Sequence, residues 1–245
     1  MRVRALSSLF LLAALAAFLL SPIGLLVPTA IWVGAAILLG AIGIGLWLRA
    51  PRALPAAPLR DPVRAAEDGE PLEALRAERD RLFRYDPGSP LRPEQRERFA
   101  GLRYYPVDPS AVLTVHVEEF ADHPAVPLVT NAGQVMEYLR WGEVRFVWQG
   151  VACRLTVYRA DPDDPTLFVP FADTTNGSET YGGGRYLELL DRGDGSYLLD
   201  FNRAYNPYCA YNDEWSCPLP PAENRLPVAI RAGEKRFDLG GAGVE

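Results

Sequence analysis

A segment rich in hydroxyl groups, amides and glycine lies at residues 172–184, and we call it the glycine loop. It reads ADTTNGSETYGGG and ends in three successive glycines, Gly182, Gly183 and Gly184. Glycine readily adopts positive φ angles, so the backbone amides of such a segment could converge on an anion. The spacing matches neither the dinucleotide-binding glycine pattern nor the P-loop. The sequence therefore predicts either an anion-binding loop or a wide turn that needs a permissive backbone.

Charged side chains in and after this loop could do acid–base chemistry. Asp173 and Glu179 lie within it, and Arg185 follows it directly. A hydrolase or transferase needs a general base together with a group that stabilises developing negative charge, and these residues could fill both roles. The alternative is an ordinary salt bridge between one of the carboxylates and the arginine.

A second long segment, residues 202–225, is called the aromatic loop. It reads NRAYNPYCAYNDEWSCPLPPAENR. Its prolines disfavour long helices and strands, and structureless loops of this length are usually functional or disordered. Its tyrosines and tryptophan offer much apolar area, which disfavours disorder. We expect an ordered loop that plugs a barrel end, covers a sheet edge or contacts a ligand.

The three cysteines do not form a disulfide framework. Cys153 lies in an apolar strand pattern and is expected to be a small core residue. Cys209 and Cys217 share the aromatic loop and could meet if that loop folds back. Such a pair stays reduced in the cytoplasm and is bonded outside it, so its state is tied to the compartment.

Other reaction chemistries have little support in the sequence. There are two histidines, His116 and His123, and one lysine, Lys235. No local motif indicates a catalytic triad, zinc-ligand spacing is absent, and a Schiff-base enzyme is disfavoured. We predict no metal site and no cofactor.

The elements that position these loops are mostly strands. A striped helix is predicted over residues 72–83, docked through Leu75, Leu82 and Phe83, with a short second helix from Pro93 to about Gly101. Strand patterns follow at residues 112–120, 144–148, 151–158, 166–169, 185–190, 196–201 and 227–231. The fold class predicted is mainly β: an antiparallel sandwich or partly closed barrel with one or two N-terminal helices, over residues 71–245.

The N-terminal part predicts a membrane anchor. Residues 5–48 contain no charged residue, and prolines at 22 and 28 divide them into two spans, which predicts a transmembrane helical hairpin in contact with the lipid bilayer. Residues 49–70 are a linker rich in Ala, Pro and Arg. The arginines flanking the spans place both ends, and with them the globular domain, on the cytoplasmic side of a bacterial inner membrane. The alternative is a cleaved signal peptide.

The formal charge of −6 is unevenly distributed. Residues 1–64 hold six arginines and one aspartate, net +5, so the rest holds 19 basic and 30 acidic residues, net −11. Affinity for nucleic acid comes largely from neutralising phosphates. An acidic domain of this kind is not expected to bind nucleic acid.

Both loops, however, resemble a known family. The motifs FADTTNGSETYGGGRY, DFNRAYNPYCAY and SCPLPPAENRL, with the earlier LRYYPVD, look like the bacterial domain of unknown function numbered 1684, over about residues 72–233. The resemblance implies one domain with two characteristic loops and implies no activity. The N-terminal hairpin is then an addition of this chain.

Three functions stay open at this point. The leading hypothesis is a membrane-tethered module that binds a small ligand or a protein partner between the two loops, with asparagines and an arginine as hydrogen-bonding groups and tyrosines as walls. The alternatives are a hydrolase or transferase, using Glu179 or Asp173 with Arg185, and a structural adaptor at the membrane. The candidate ligand-binding residues are Asp173, Glu179, Tyr181, Gly182, Gly183, Gly184, Arg185, Asn202, Tyr205, Asn206, Tyr208, Cys209, Tyr211, Cys217 and Arg225.

Overall fold

A computed structural model describes residues 71–238 of the protein. The predicted hairpin at residues 5–48 and the linker at 49–70 lie outside the described residues. Within 71–238, no helix is long and apolar enough to cross a membrane.

Two helices open this part of the chain, α1 (Leu72–Tyr85) and α2 (Pro93–Arg98), and both were predicted. Eight strands follow: β1 (Val112–Val115), β2 (Val117–Glu119), β3 (Ala125–Val129), β4 (Val135–Trp148), β5 (Val151–Arg159), β6 (Leu167–Phe171), β7 (Arg185–Asp191) and β8 (Tyr197–Asp200). The order in the sheet is β1-β8-β7-β6-β5-β4-β2, and β3 pairs with β4 beside this path. Every strand pairing is antiparallel.

The two ends of this sheet belong to one stretch of chain. Only His116 separates β1 from β2, yet β1 pairs with β8 and β2 pairs with β4. The sheet therefore curls until its first and last strands meet in a single segment. This confirms a mainly antiparallel β fold, and of the two predicted forms the sheet is the nearly closed barrel.

Alternation along the strands fills the barrel. In β4, Phe146 and Trp148 are buried while Arg145 and Val147 point outward. Phe201, which follows β8, is fully buried and contacts the rings of Phe146, Trp148 and Phe171 at centroid distances of 5.5–5.7 Å. Residues from distant strands thus meet at one point in the interior.

Helix α1 docks on the domain with a different stripe from the one predicted. Its buried residues are Leu75, Arg79 and Phe83, spaced four apart, whereas Leu82 is half-buried. Residues four apart share one face of a helix, and here an arginine occupies the middle position. Docking through Leu75 and Phe83 is therefore confirmed, and the buried residue between them is Arg79 rather than an apolar side chain.

Two strand predictions also need correction. Strand β3 and the first half of β4 were missed. Pro127 lies in β3, which pairs with β4 beside the main path of the sheet, and a proline lowers the strand signal of a sequence. Residues 227–231 form no strand. The amide of Ile230 donates to Asp173, and its carbonyl accepts from Arg185, so this segment's backbone is satisfied outside any ladder.

Candidate functional site

The glycine loop is a compact turn held by its own hydrogen bonds. The amide of Thr175 donates to Asp173 Oδ1 at 2.8 Å, and Asn176 Nδ2 donates to the carbonyl of Tyr181 at 2.7 Å. The hydroxyls of Thr175 and Thr180 are 2.8 Å apart in the buried interior of the turn. Short polar side chains that bond nearby backbone groups favour such turns over helix or strand.

Of the three successive glycines, Gly184 alone has a positive φ, +92°. A Cβ there would lie 2.4 Å from Pro220 Cγ in the aromatic loop and 2.8 Å from the carbonyl oxygen of Phe171. A Cβ at Gly182, by contrast, would have its nearest neighbour 3.7 Å away. The third glycine is therefore required for close packing between the two loops, and this steric demand explains it without an anion.

Arg185 and Asp173 form a buried ion pair. Arg185 Nη2 donates to Asp173 Oδ2 at 2.8 Å, and neither side chain is exposed to solvent. The same guanidinium also donates to the carbonyls of Ile230, Ala232 and Glu234. Both groups are committed to protein partners, so in this arrangement neither meets a substrate as the enzyme hypothesis required.

Glu179 lies apart from that pair, at the surface. It accepts a hydrogen bond from the Tyr105 hydroxyl at 3.1 Å and a two-pronged contact from Arg231 at 2.8–3.0 Å. The hydrogen bonds from Arg231 lower the pKa of Glu179, against a smaller opposing effect of burial. A carboxylate whose pKa is lowered is a weaker base, so the geometry favours a structural ion pair here.

A buried polar network ties helix α1 to the aromatic loop. Glu234 accepts hydrogen bonds from Arg79, from the hydroxyl of Tyr211, and from the amide and side chain of Asn206 at 3.0 and 2.9 Å. Burial is the largest cause that raises the pKa of Tyr211. Neither Arg79 nor Glu234 was predicted from the sequence. The detectable signal was the position of Arg79, midway along the stripe between Leu75 and Phe83.

Among the other candidates of the aromatic loop, Tyr205 and Asn202 are internal, whereas Arg225 is exposed. The Tyr205 hydroxyl donates to Glu188 at 2.6 Å, and Asn202 Nδ2 donates to the carbonyl of Asp108 at 2.8 Å. Arg225 has an exposed side chain, and its backbone bridges to Ala172. Buried polar groups with complete protein partners stabilise the loop.

The two loops meet where Tyr181 contacts Cys209. The Tyr181 hydroxyl donates to Cys209 Sγ at 3.6 Å, and the Cys209 amide donates to Cys217 Sγ at 3.3 Å. This confirms that the two loops are neighbours in space. Tyr181, Tyr208 and Trp215 remain half-buried around the contact, and we call these three residues the ring cluster.

The aromatic loop is also fastened to the turn between β3 and β4. The amide of Cys217 donates to Asn131 Oδ1 at 2.7 Å, and the amide of Asn131 donates back to the carbonyl of Cys217 at 3.1 Å. Asn131 Nδ2 donates to the carbonyl of Trp215 at 3.1 Å. The segment that carries Trp215 and Cys217 is therefore anchored to this turn.

A narrow cleft lies on the other side of the aromatic loop, between it and α1. Its volume is about 10 Å³, enough for one water molecule. It is lined by Leu72, Leu75, Arg76, Arg79, Tyr104, Asn202, Arg203 and Tyr205. As placed, it has no room for a metabolite.

Comparisons with known proteins give one similar solved structure and one family. An uncharacterized protein of Haloarcula marismortui, solved by solution NMR, is 42% identical and has a TM-score of 0.55; the match covers 67% of this chain and 91% of that one. No curated protein matches the chain. The sequence profile of DUF1684, described as a protein of unknown function, matches residues 97–235, which include both loops and Glu234. The chain therefore belongs to the DUF1684 family.

Proposed function

We propose that this protein is a membrane-tethered binding module, whose contact surface is the ring cluster at the junction of the glycine and aromatic loops. The single observation that carries the proposal is that rings from two separate loops gather, half-buried, around one point. Aromatic side chains with one covered and one open face supply large contact area at low entropic cost, and they are enriched at binding interfaces.

The electrostatics of the junction favour an apolar or aromatic ligand group over an anion. Arg185, which the sequence suggested as the group that stabilises an anion, is neutralised in the interior by Asp173. What remains at the loop junction is ring surface and two thiols. A flat apolar group, carried by a small molecule or by a partner's side chain, matches this surface.

Binding can be tested on the full-length protein in detergent. A metabolite and peptide library is screened by thermal shift, because a ligand that binds only the native state raises the unfolding temperature. We expect the shift produced by a true ligand to be lost in Trp215→Ala. It should be kept in Val147→Ala, a matched truncation of an exposed apolar residue on β4. Shifts that survive Trp215→Ala and Tyr181→Phe alike would contradict the site.

The tether rests on residues 5–48, whose uncharged length is sufficient for two crossings. We expect the full chain to remain in the membrane fraction after alkaline carbonate washing, and a chain lacking residues 1–48 to be released. For the orientation, reporter enzymes are fused after Arg60. A reporter that works only in the cytoplasm should be active, because the flanking arginines place this end on the cytoplasmic side. Activity only outside would reverse the assigned side.

A further inference from the structure

Cys209 and Cys217 are held against each other although seven residues separate them. The Cys209 amide donates to Cys217 Sγ at 3.3 Å, and both residues are free and 8% exposed. An amide-to-sulfur contact of this length places the two side chains within the range from which a disulfide forms with modest movement.

The two thiols have different surroundings. The hydrogen bond from Cys217 is the largest cause that lowers the pKa of Cys209, and the Tyr181 hydroxyl adds to it against the effect of burial. The same thiol–thiol bond and burial raise the pKa of Cys217. Cys209 is therefore the better thiolate, with Tyr181 and Cys217 as donors to its sulfur.

The backbone is held differently at the two cysteines. Cys217 is bound through its amide and carbonyl to Asn131. Cys209 lies in a single 3-10 turn, Tyr208–Ala210, whose outer residues are partly exposed. Disulfide formation would require this turn to move so that Cys209 meets the reagent and then the anchored Cys217.

We propose that Cys209 and Cys217 are a reversible dithiol–disulfide couple, which a low-molecular-weight disulfide such as glutathione disulfide oxidises. The Cys209 thiolate attacks one sulfur of the reagent, forming a mixed disulfide and releasing one glutathione thiolate. Cys217 loses its proton and attacks the Cys209 sulfur, which releases the second glutathione thiolate. The protein thiols lose two electrons in total, and these reduce one glutathione disulfide to two molecules of glutathione.

Such a couple goes beyond the proposed function, because it needs no ligand at the ring cluster. It does have a consequence for that surface. Cys209 is joined in sequence to Tyr208, and Cys217 follows Trp215 by two residues. A disulfide would therefore fix the distance between the chain segments that carry two of the three rings.

The test is a redox titration of the full-length protein. The protein is equilibrated with mixtures of reduced and oxidised glutathione, quenched with acid, alkylated, and analysed by peptide mass spectrometry. We expect Cys209 and Cys217 to lose reactivity together and to regain it on reduction, while Cys153 stays alkylatable after denaturation throughout. Cys153 is the internal control, because it is buried on β5 and burial raises its pKa.

Variants then separate the roles of the two sulfurs. Cys217→Ser should accumulate a mixed disulfide on Cys209, and Cys209→Ser should react about tenfold more slowly at Cys217. Cys153→Ser should titrate like the wild-type protein. Tyr181→Phe removes one donor to the sulfur, so it should raise the pH at which Cys209 reacts at half its maximal rate.

Two results would overturn the proposal, and both are read on the wild-type protein. One is a pair that stays fully reduced in oxidised glutathione alone under native conditions. The other is a Cys209–Cys217 bond that forms only after denaturation, or that forms no more readily than mixed disulfides at Cys153.

Discussion

Glu234 and Glu179 are both glutamates that bind an arginine, and burial gives them different energetic roles. Glu234 and Arg79 are almost completely removed from solvent, whereas Glu179 and Arg231 are partly exposed. Breaking a buried pair leaves an uncompensated charge in the interior, whereas exposed pairs contribute little. Arg79–Glu234, like the buried pair of Arg185 and Asp173, therefore has a larger effect when one partner is removed than the exposed pair of Glu179 and Arg231.

We expect Glu234→Gln to lower the free energy of unfolding by about 3 kcal/mol, because the Arg79 guanidinium stays buried without its countercharge. Chemical denaturation of the full-length protein measures the change. Glu179→Gln is the matched control and should unfold at nearly the wild-type midpoint. Equal effects of the two substitutions would contradict the role given to burial.

Asp80 is a carboxylate whose charge works against stability. Burial is the largest cause that raises its pKa, although its Oδ1 accepts the amide of Leu102 at 2.9 Å. A carboxyl group whose pKa is higher in the folded state binds protons more tightly there. The free energy of unfolding therefore falls as the pH rises from the unfolded pKa to the folded pKa of this group.

Asp80→Asn keeps the acceptor oxygen and removes the charge. It should therefore stabilise the protein at pH 7 by no more than about 0.5 kcal/mol, since half the group is screened by solvent. The gain should shrink as the pH falls through the raised pKa of folded Asp80, because the wild-type carboxyl group then loses its charge by protonation. Thermal unfolding across this range checks the sign, and a gain that grows on acidification would disprove it.

At the level of elements, the two loops act as one unit joined at Gly184. Its positive φ and its contact with Pro220 allow the glycine loop to approach the aromatic loop closely. Residues other than glycine are strained at this positive φ angle, and a Cβ would also collide with the carbonyl oxygen of Phe171. The glycine two positions earlier has neither restriction.

Gly184→Ala should lower the free energy of unfolding by about 2–4 kcal/mol, through backbone strain and the collision with Pro220. Gly182→Ala should be close to neutral, because its Cβ would meet only ordinary contacts. Unfolding midpoints of the two variants make the comparison. If Gly182→Ala were the more damaging change, the first glycine and not the third would set the loop's conformation.

The sequence predicted the elements whose hydrophobic periodicity matches their buried face. It did not predict which polar side chains are buried. Strands β5 and β7 were found because apolar residues dominate them, and α1 because its stripe is regular. The salt bridge of Arg185 to one of the loop carboxylates was among the expectations, but its burial was not, and Arg79 was not predicted to be buried at all. Both burials depend on carbonyls or a carboxylate far along the chain. The same long-range pairing turned most of the candidate binding residues into interior ones.

For the molecule as a whole, the segment that contains β1 and β2 joins the two ends of the sheet, and side chains from different strands pack together inside the barrel. Phe201 is the point where these contacts meet, since its ring touches residues of β4 and β6. Its loss would leave a cavity that strands from three parts of the chain border. The barrel cannot collapse into such a cavity without moving several strands.

We therefore expect Phe201→Ala to cost about 3–5 kcal/mol of unfolding free energy. Val147→Ala on the outer face of β4 should change it by less than about 0.5 kcal/mol. Both are measured by denaturant unfolding, followed by far-ultraviolet circular dichroism. A mild effect of Phe201→Ala would mean that the barrel interior repacks freely.

The carbonyls that enclose Arg185 also impose an order on synthesis. They come from Ile230, Ala232 and Glu234, which leave the ribosome after every strand of the barrel. Until they emerge, Arg185 has an incomplete shell, and Arg79 lacks its carboxylate partner. Arg185 already has Asp173 as its countercharge, whereas burying Arg79 unpaired would cost several kcal/mol. The barrel strands can associate as they appear, but the native interior is complete only when residue 234 has been released. We therefore expect a chain that is truncated a few residues before Glu234 to be degraded by proteases rather than to fold into a shorter domain.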